Sequence, residues 1–252
     1  SGRTNDFRKL RRRLFVMAAD VETTETVCFG DEGLDHIPVS RAIQASMASP
    51  GLYTPVQVEG RYCVDGTLRK GLHASVAFDH GAELVLAINP QVPVDARAAE
   101  AAGTMAADEL TSSGMPNLLA QMFRTMVHSR IQKGLAQYAR DYPGKDVMLF
   151  EPTRDDATLF FSSVFSFRSR RQVCEHAYQM TRRDLLRRAD ELEPVLAKHG
   201  IRLNRKVLED SERTISTALY GETLPLYVAR KRRQRQRKGV LGSVSQVFQK
   251  AQ

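Results

Sequence analysis

Asp65 stands in the tetrapeptide Val64-Asp65-Gly66-Thr67, directly after the alternating run "VQVEGRYCV" (56–64). A carboxylate carried by a strand into a sharp turn has two uses. It can cap the turn with a local hydrogen bond, the common role of Asp in such places. It can also act as a general base, because open α/β sheets bind ligands at the carboxyl ends of their strands. Gly66 is expected to make the turn sharp by adopting backbone angles that other residues resist. An aspartate in water is a weak base. Tyr62, Val64 and Leu68 beside Asp65 are expected to shield it from solvent and strengthen it.

No serine of the chain has the Gly-x-Ser-x-Gly setting: Ser113 has Gly114 on one side only, and Ser243 has Gly242 without a second glycine. His73 and His80 are close enough in sequence to suggest a Ser-His-Asp set. Their places, at a helix start and before Gly81, suit capping or surface roles better. An N-terminal serine such as Ser1 is a nucleophile in some hydrolases, but a preceding segment accounts better for "SGRTNDFRKL" leading straight into a strand. His36, His128, His176 and His199 share no metal-ligand spacing. Cys28, Cys63 and Cys174 are odd in number and lack a CxxC. Neither a zinc site nor a disulfide framework is expected, and a reducing compartment fits.

The elements that must position Asp65 are legible around it. "RLFVMAADV" (13–21) and "ETVCFG" (25–30) read as strands joined by a turn at "ETT". Pro38 opens a helix whose apolar positions 39, 42, 43 and 47 share one face, and Pro50-Gly51 and Pro55 stop it. Residues 56–64 read as a hairpin turning at Glu59-Gly60. Residues 72–80 suit a helix ended by Gly81, and "ELVLAINP" (83–90) a buried strand. Strand, helix and near-continuous apolar strand in that order predict an α/β fold with a mixed or parallel sheet covered by helices. Beyond Pro93 the pattern is helical over 97–113, 116–140 and roughly 169–221, broken by one strand at "KDVMLFEP" (145–152). Three regions are expected: 1–95, a helical extension or cap over 96–228, and a tail over 229–252.

The 252 residues are 42% hydrophobic and 26% charged, ordinary for a globular chain. The chain lacks an apolar run long enough for a bilayer span. The net charge of +8 is concentrated in "RKRRQRQRK", where Arg230, Lys231, Arg232, Arg233, Arg235, Arg237 and Lys238 stand without an acid among them. The remainder is close to neutral, and no aromatics interleave with the basic run, so nucleic acid is not an expected partner. Val240, Leu241, Val244, Val247 and Phe248 follow on one helical face. Together they suit an anchor on an anionic membrane surface, or else a solvated tail. A second basic run, Arg8 to Arg13, suits a solvated loop or contact with lipid phosphates.

The order of features from Ala45 to Pro90 is specific. Ala45-Ser46-Met47-Ala48-Ser49-Pro50-Gly51 closes a helix, Tyr53 and Pro55 follow, then the hairpin, then Val64-Asp65-Gly66-Thr67. A helix and His80-Gly81-Ala82-Glu83 lead into the next strand, and Ala19-Asp20 ends an earlier one. Over about residues 5–95 this resembles the second half of a patatin-like phospholipase domain. The resemblance implies a serine lipid acyl hydrolase that cleaves carboxyl esters through a Ser-Asp dyad without metal or cofactor. Asp65 would be the base, with Pro50, Gly51, Gly66 and Thr67 supporting its turn. The nucleophilic serine and the oxyanion loop would lie upstream of Ser1, in the same chain or a cleaved fragment. Thr67 departs from the usual Gly or Ala, so the turn is expected to differ there. The implied partners are a lipid substrate, that upstream segment and a peripheral membrane surface; a homo-oligomer is compatible. The implied location is the cytoplasm or the cytoplasmic membrane face. A different class, a non-catalytic lipid-surface or scaffold protein with the same core, would also lack the serine.

Overall fold

The computed structural model describes residues 4–161 and 170–220. The basic run at 230–238 and the apolar face after it lie outside the described residues. Two compact units are present, one within Ser1–Ser162 and taking in Val195–Ile201, the other within Ser163–Pro194 and Arg202–Gln252.

The first unit opens with two strands, β1 (Val16–Asp20) and β2 (Thr26–Phe29), followed by helix α1 (Val39–Ser46) and the hairpin β3 (Val56–Val58) and β4 (Arg61–Asp65). These four strands form one antiparallel sheet in the order β2-β1-β4-β3. The hairpin closes at Glu59-Gly60, with φ of 49° and 81°, the pair of left-handed residues that a two-residue loop requires. Helix α1 lies on this sheet through Ala42 and Ala45, and Ala48 just beyond it joins the same core, all at most 2% exposed. Alanines there allow the helix axis a close approach. The expected face holds at Val39 and Ala42, which pack in this core, and is corrected at Ile43 and Met47, 42% and 66% exposed.

Helix α2 (Ala74–Asp79) leads to β5 (Leu84–Ile88), and α3 (Ala96–Ala101), α4 (Glu109–Ser112) and the 27-residue α5 (Met115–Asp141) lead to β6 (Asp146–Phe150). The helical pattern over 97–113 is thus two short helices rather than one. Strands β5 and β6 pair in parallel as a separate two-stranded sheet. The α/β architecture holds, but its strands are divided between an antiparallel and a parallel sheet. The expectation of a buried β5 is also corrected. Ala87 is packed at 4% exposure while Leu86 and Ile88 are 51% and 78% exposed, because successive side chains alternate between faces. Phe78 of α2 anchors the core beside β5 with Ala74 and Tyr138, against which Tyr142, Val85 and Val147 pack. The short helix α6 (Ala157–Phe161) follows β6.

Helices α7 (Arg170–Arg187), α8 (Ala189–Lys198), α9 (Arg205–Glu209) and α10 (Ile215–Tyr220) complete the described chain. Within the second unit the buried Arg182 of α7 donates to the carbonyls of Val207, Leu208, Asp210 and Arg213. One guanidinium thereby satisfies the loose carbonyls around α9, which a short helix cannot pair internally. No helix among the described residues is long and apolar enough to cross a membrane.

Candidate functional site

Asp65 is the last residue of β4, directly opposite Ala18 of β1. Its backbone N–H donates 3.2 Å to the carbonyl of Ala48, so the end of the strand is tied to the segment that follows α1. The side chain is half-buried. Its Oδ1 accepts from the backbone N–H of Thr67 at 3.0 Å and from Thr67 Oγ1 at 2.9 Å. Its Oδ2 accepts from Ser49 Oγ at 2.9 Å.

The turn after Asp65 is a single 3-10 turn, Gly66–Leu68, with the aspartate as its cap. Thr67 fits it without a special backbone angle and adds its hydroxyl to the carboxylate. Gly66 is not among the glycines with left-handed φ, which corrects the reason expected for it. A Cβ at Gly66 would meet the carbonyl oxygen of Met17 at 2.8 Å. Space against β1, rather than φ, demands glycine. The expected shield is corrected as well. Tyr62 and Val64 sit on the face of β4 opposite Asp65 by strand alternation, and Tyr62 is 43% exposed. The hydrogen-bond donors to the carboxylate are two hydroxyls and an amide.

Pro50 and Gly51 stand one step removed from the carboxylate. The carbonyl of Ser49 accepts from the N–H groups of Leu52 and Tyr53, both at 3.1 Å. With Pro50 next and Gly51 at φ 83°, Ser49 begins a turn with the sequence and φ requirement of type II. Around this turn Met47, Leu52 and Tyr53 are all more than half exposed, an apolar rim beside a polar centre.

The loop leaving the Asp65 turn is clamped by α5, which the sequence reading did not connect to it. Arg130 donates to the carbonyl of Leu68 and Tyr138 Oη to that of Leu72. Gly71 lies so close that a Cβ there would be 2.7 Å from Ile131 Cγ1. Neither nearby histidine completes a triad. His73 Nε2 is 3.3 Å from the carbonyl of Gly66, and burial holds its pKa below the ordinary histidine range. His80 contacts the Val76 carbonyl and Asp31, with its ring against Phe15. Arg8 and Lys9 pair with Asp6, whereas Arg11, Arg12 and Arg13 are exposed. Cys63 is buried and Cys28 partly so; desolvation raises both thiols, Cys28 to about 11. Among the described residues no group of three or more His, Cys, Asp or Glu is placed to hold a metal.

A second polar cluster lies at the carboxyl ends of β5 and β6. Asn89 Nδ2 donates 3.1 Å to Glu151 Oε2, which stands 3.5 Å from His128 Nδ1. Their separation in sequence left it invisible beforehand.

Residues 2–78 match the family model for patatin-like phospholipase. That stretch is patatin-like. The patatin-like stretch holds the whole antiparallel sheet, α1, the Pro50-Gly51 turn and Asp65 with Gly66 and Thr67, and it ends within α2. The same segment carries every contact to the Asp65 carboxylate described above.

Proposed function

We propose that this protein is a serine lipid acyl hydrolase in which Asp65 is the general base of a Ser-Asp dyad. The observation that carries the reading is the hydrogen-bond state of its carboxylate, inside the patatin-like stretch. A carboxylate offers about four lone-pair positions. Thr67 fills two on Oδ1 and Ser49 fills one on Oδ2, so that the described residues leave one position of Oδ2 open at the carboxyl end of β4.

In the proposed reaction a serine O–H gives its proton to Asp65 as its oxygen attacks the ester carbonyl carbon. The carbonyl electron pair moves to oxygen, in a site that needs donors for that charge. Collapse expels the alcohol, which takes the proton back from Asp65. Water, deprotonated by the same carboxylate, then attacks the acyl-serine, and the proton passes from Asp65 to the departing serine oxygen as the fatty acid is released. The 252 residues contain no Gly-x-Ser-x-Gly, so nucleophile and oxyanion loop are assigned to a segment upstream of Ser1. The exposed Leu86 and Ile88 of β5 support this by offering apolar surface for another element to cover. The apolar rim of Met47, Leu52 and Tyr53 suits an acyl chain.

A fluorophosphonate probe tests the reading on the full-length protein. One covalent adduct is expected, on a serine upstream of Ser1. Absence of any adduct on folded protein would refute the hydrolase and leave a non-catalytic lipid-surface protein. The tail is assigned to an anionic membrane surface, at about 1 kcal/mol per basic residue near such a surface. In flotation with vesicles containing anionic lipid, deletion of residues 230–252 is expected to remove most binding, with little binding of either form to neutral vesicles. Equal flotation by both forms would remove the anchor.

A further inference from the structure

Ser49 belongs to none of the expected site residues, yet among the described residues it is the side chain outside the turn that hydrogen-bonds to the Asp65 carboxylate. Its backbone is fixed on both sides. Its N–H donates 2.8 Å to the carbonyl of Met47, and its own carbonyl closes the Pro50-Gly51 turn. The hydroxyl therefore reaches Oδ2 from a rigid position, as a residue that orients a reactive group must.

The two carboxylate oxygens are consequently unlike. Oδ1 accepts two hydrogen bonds from Thr67, and both of its lone pairs are committed to the turn. Oδ2 accepts one, from Ser49. Without Ser49, rotation about the bond to the carboxylate is restrained only through Oδ1. We infer that Ser49 is a positioning residue for the base: its hydroxyl holds Oδ2 facing the site, so that this oxygen takes the nucleophile's proton. Pro50 and Gly51 then act through Ser49, setting the turn that places its hydroxyl. This inference rests on the reading of Asp65 as the base.

A plain structural tie between α1 and β4 would have a different signature. Loss of the tie lowers stability, whereas loss of a donor to an ionised base changes proton transfer. The variants Ser49→Ala and Ser49→Thr, in the full-length protein with a soluble p-nitrophenyl ester, separate the two. Hydrogen bonds to charged groups support an expected fall in kcat of about ten-fold for S49A, with KM within about two-fold. A donor removed from the ionised form also moves the acid limb of the pH–rate profile upward, by about half a pH unit or more. S49T keeps the hydroxyl and is expected to restore both kcat and the profile. If S49A shows the parent's kcat and pH profile while Asp65→Asn is inactive, the inference falls and the base survives. If S49A lowers only the melting midpoint, Ser49 is structural and the inference falls likewise. If Asp65→Asn itself retains turnover, the base and the inference fall together.

Discussion

Asp65→Asn in the full-length protein is expected to lower ester turnover by about 10³-fold or more while leaving the fold in place. Removing a general base costs about 10² to 10⁴ in rate. In the proposed two-residue site, with no described histidine at the carboxylate, a substitute base is not at hand. The amide is nearly the same size as the carboxylate, and its oxygen can still accept from the backbone N–H and hydroxyl of Thr67, which fill Oδ1 in the parent. The turn cap therefore persists. What disappears is the ability of the second atom to take a proton. The amide nitrogen that replaces Oδ2 is a donor, and it meets the Ser49 hydroxyl, which must then turn to accept. The measurement is kcat on a soluble ester together with circular dichroism and a melting curve. A folded variant with more than about a tenth of the parent's turnover would exclude Asp65 as the base, and with it the Ser-Asp dyad.

The parts of this fold legible in sequence are those governed by local rules. Glu59-Gly60 announced a two-residue hairpin, and both residues adopt left-handed φ. Pro38 and Pro50-Gly51 bracketed α1 because proline and glycine act on the backbone wherever they stand. Asp65 was placed at the end of its strand by the alternation before it. What was not legible depends on which surfaces meet. Of the face read from positions 39, 42, 43 and 47, Val39 and Ala42 pack on the sheet while Ile43 and Met47 do not. The sheet instead selected the small face. The pairing of β5 with β6 spans 62 positions in register, Leu84 with Asp146 onward, and no local pattern encodes such a distance. Ser49 was hidden for a related reason. It looks like one more polar residue before a Pro-Gly turn, and only the folding of α1 onto β4 brings its hydroxyl to Asp65.

The same contrast between backbone angle and space governs Gly66→Ala. Its φ is outside the left-handed region, so alanine carries no conformational penalty there. The entire effect comes from collision: the new Cβ would lie 2.8 Å from the Met17 carbonyl oxygen and 3.0 Å from its carbon. Backbone atoms of a paired strand cannot swing aside as a side-chain end does. Relief requires the turn to retreat from β1, beside the rung where Ala18 faces Asp65. That retreat carries Thr67 away from Oδ1 and Oδ2 away from its working direction. A misfit of this kind costs about 1–3 kcal/mol of stability. A displacement of about 1 Å at a reacting group lowers the rate by about 10²-fold, so turnover is expected to fall further than folding does. Gly33→Ala is the comparison, since Gly33 has φ 84° but open space around the missing Cβ. It is expected to lose about 1 kcal/mol through backbone strain and to keep the parent's kcat. Melting midpoints and kcat for the two variants decide the matter: parental stability and turnover in G66A would show that the Asp65 turn is not wedged against β1.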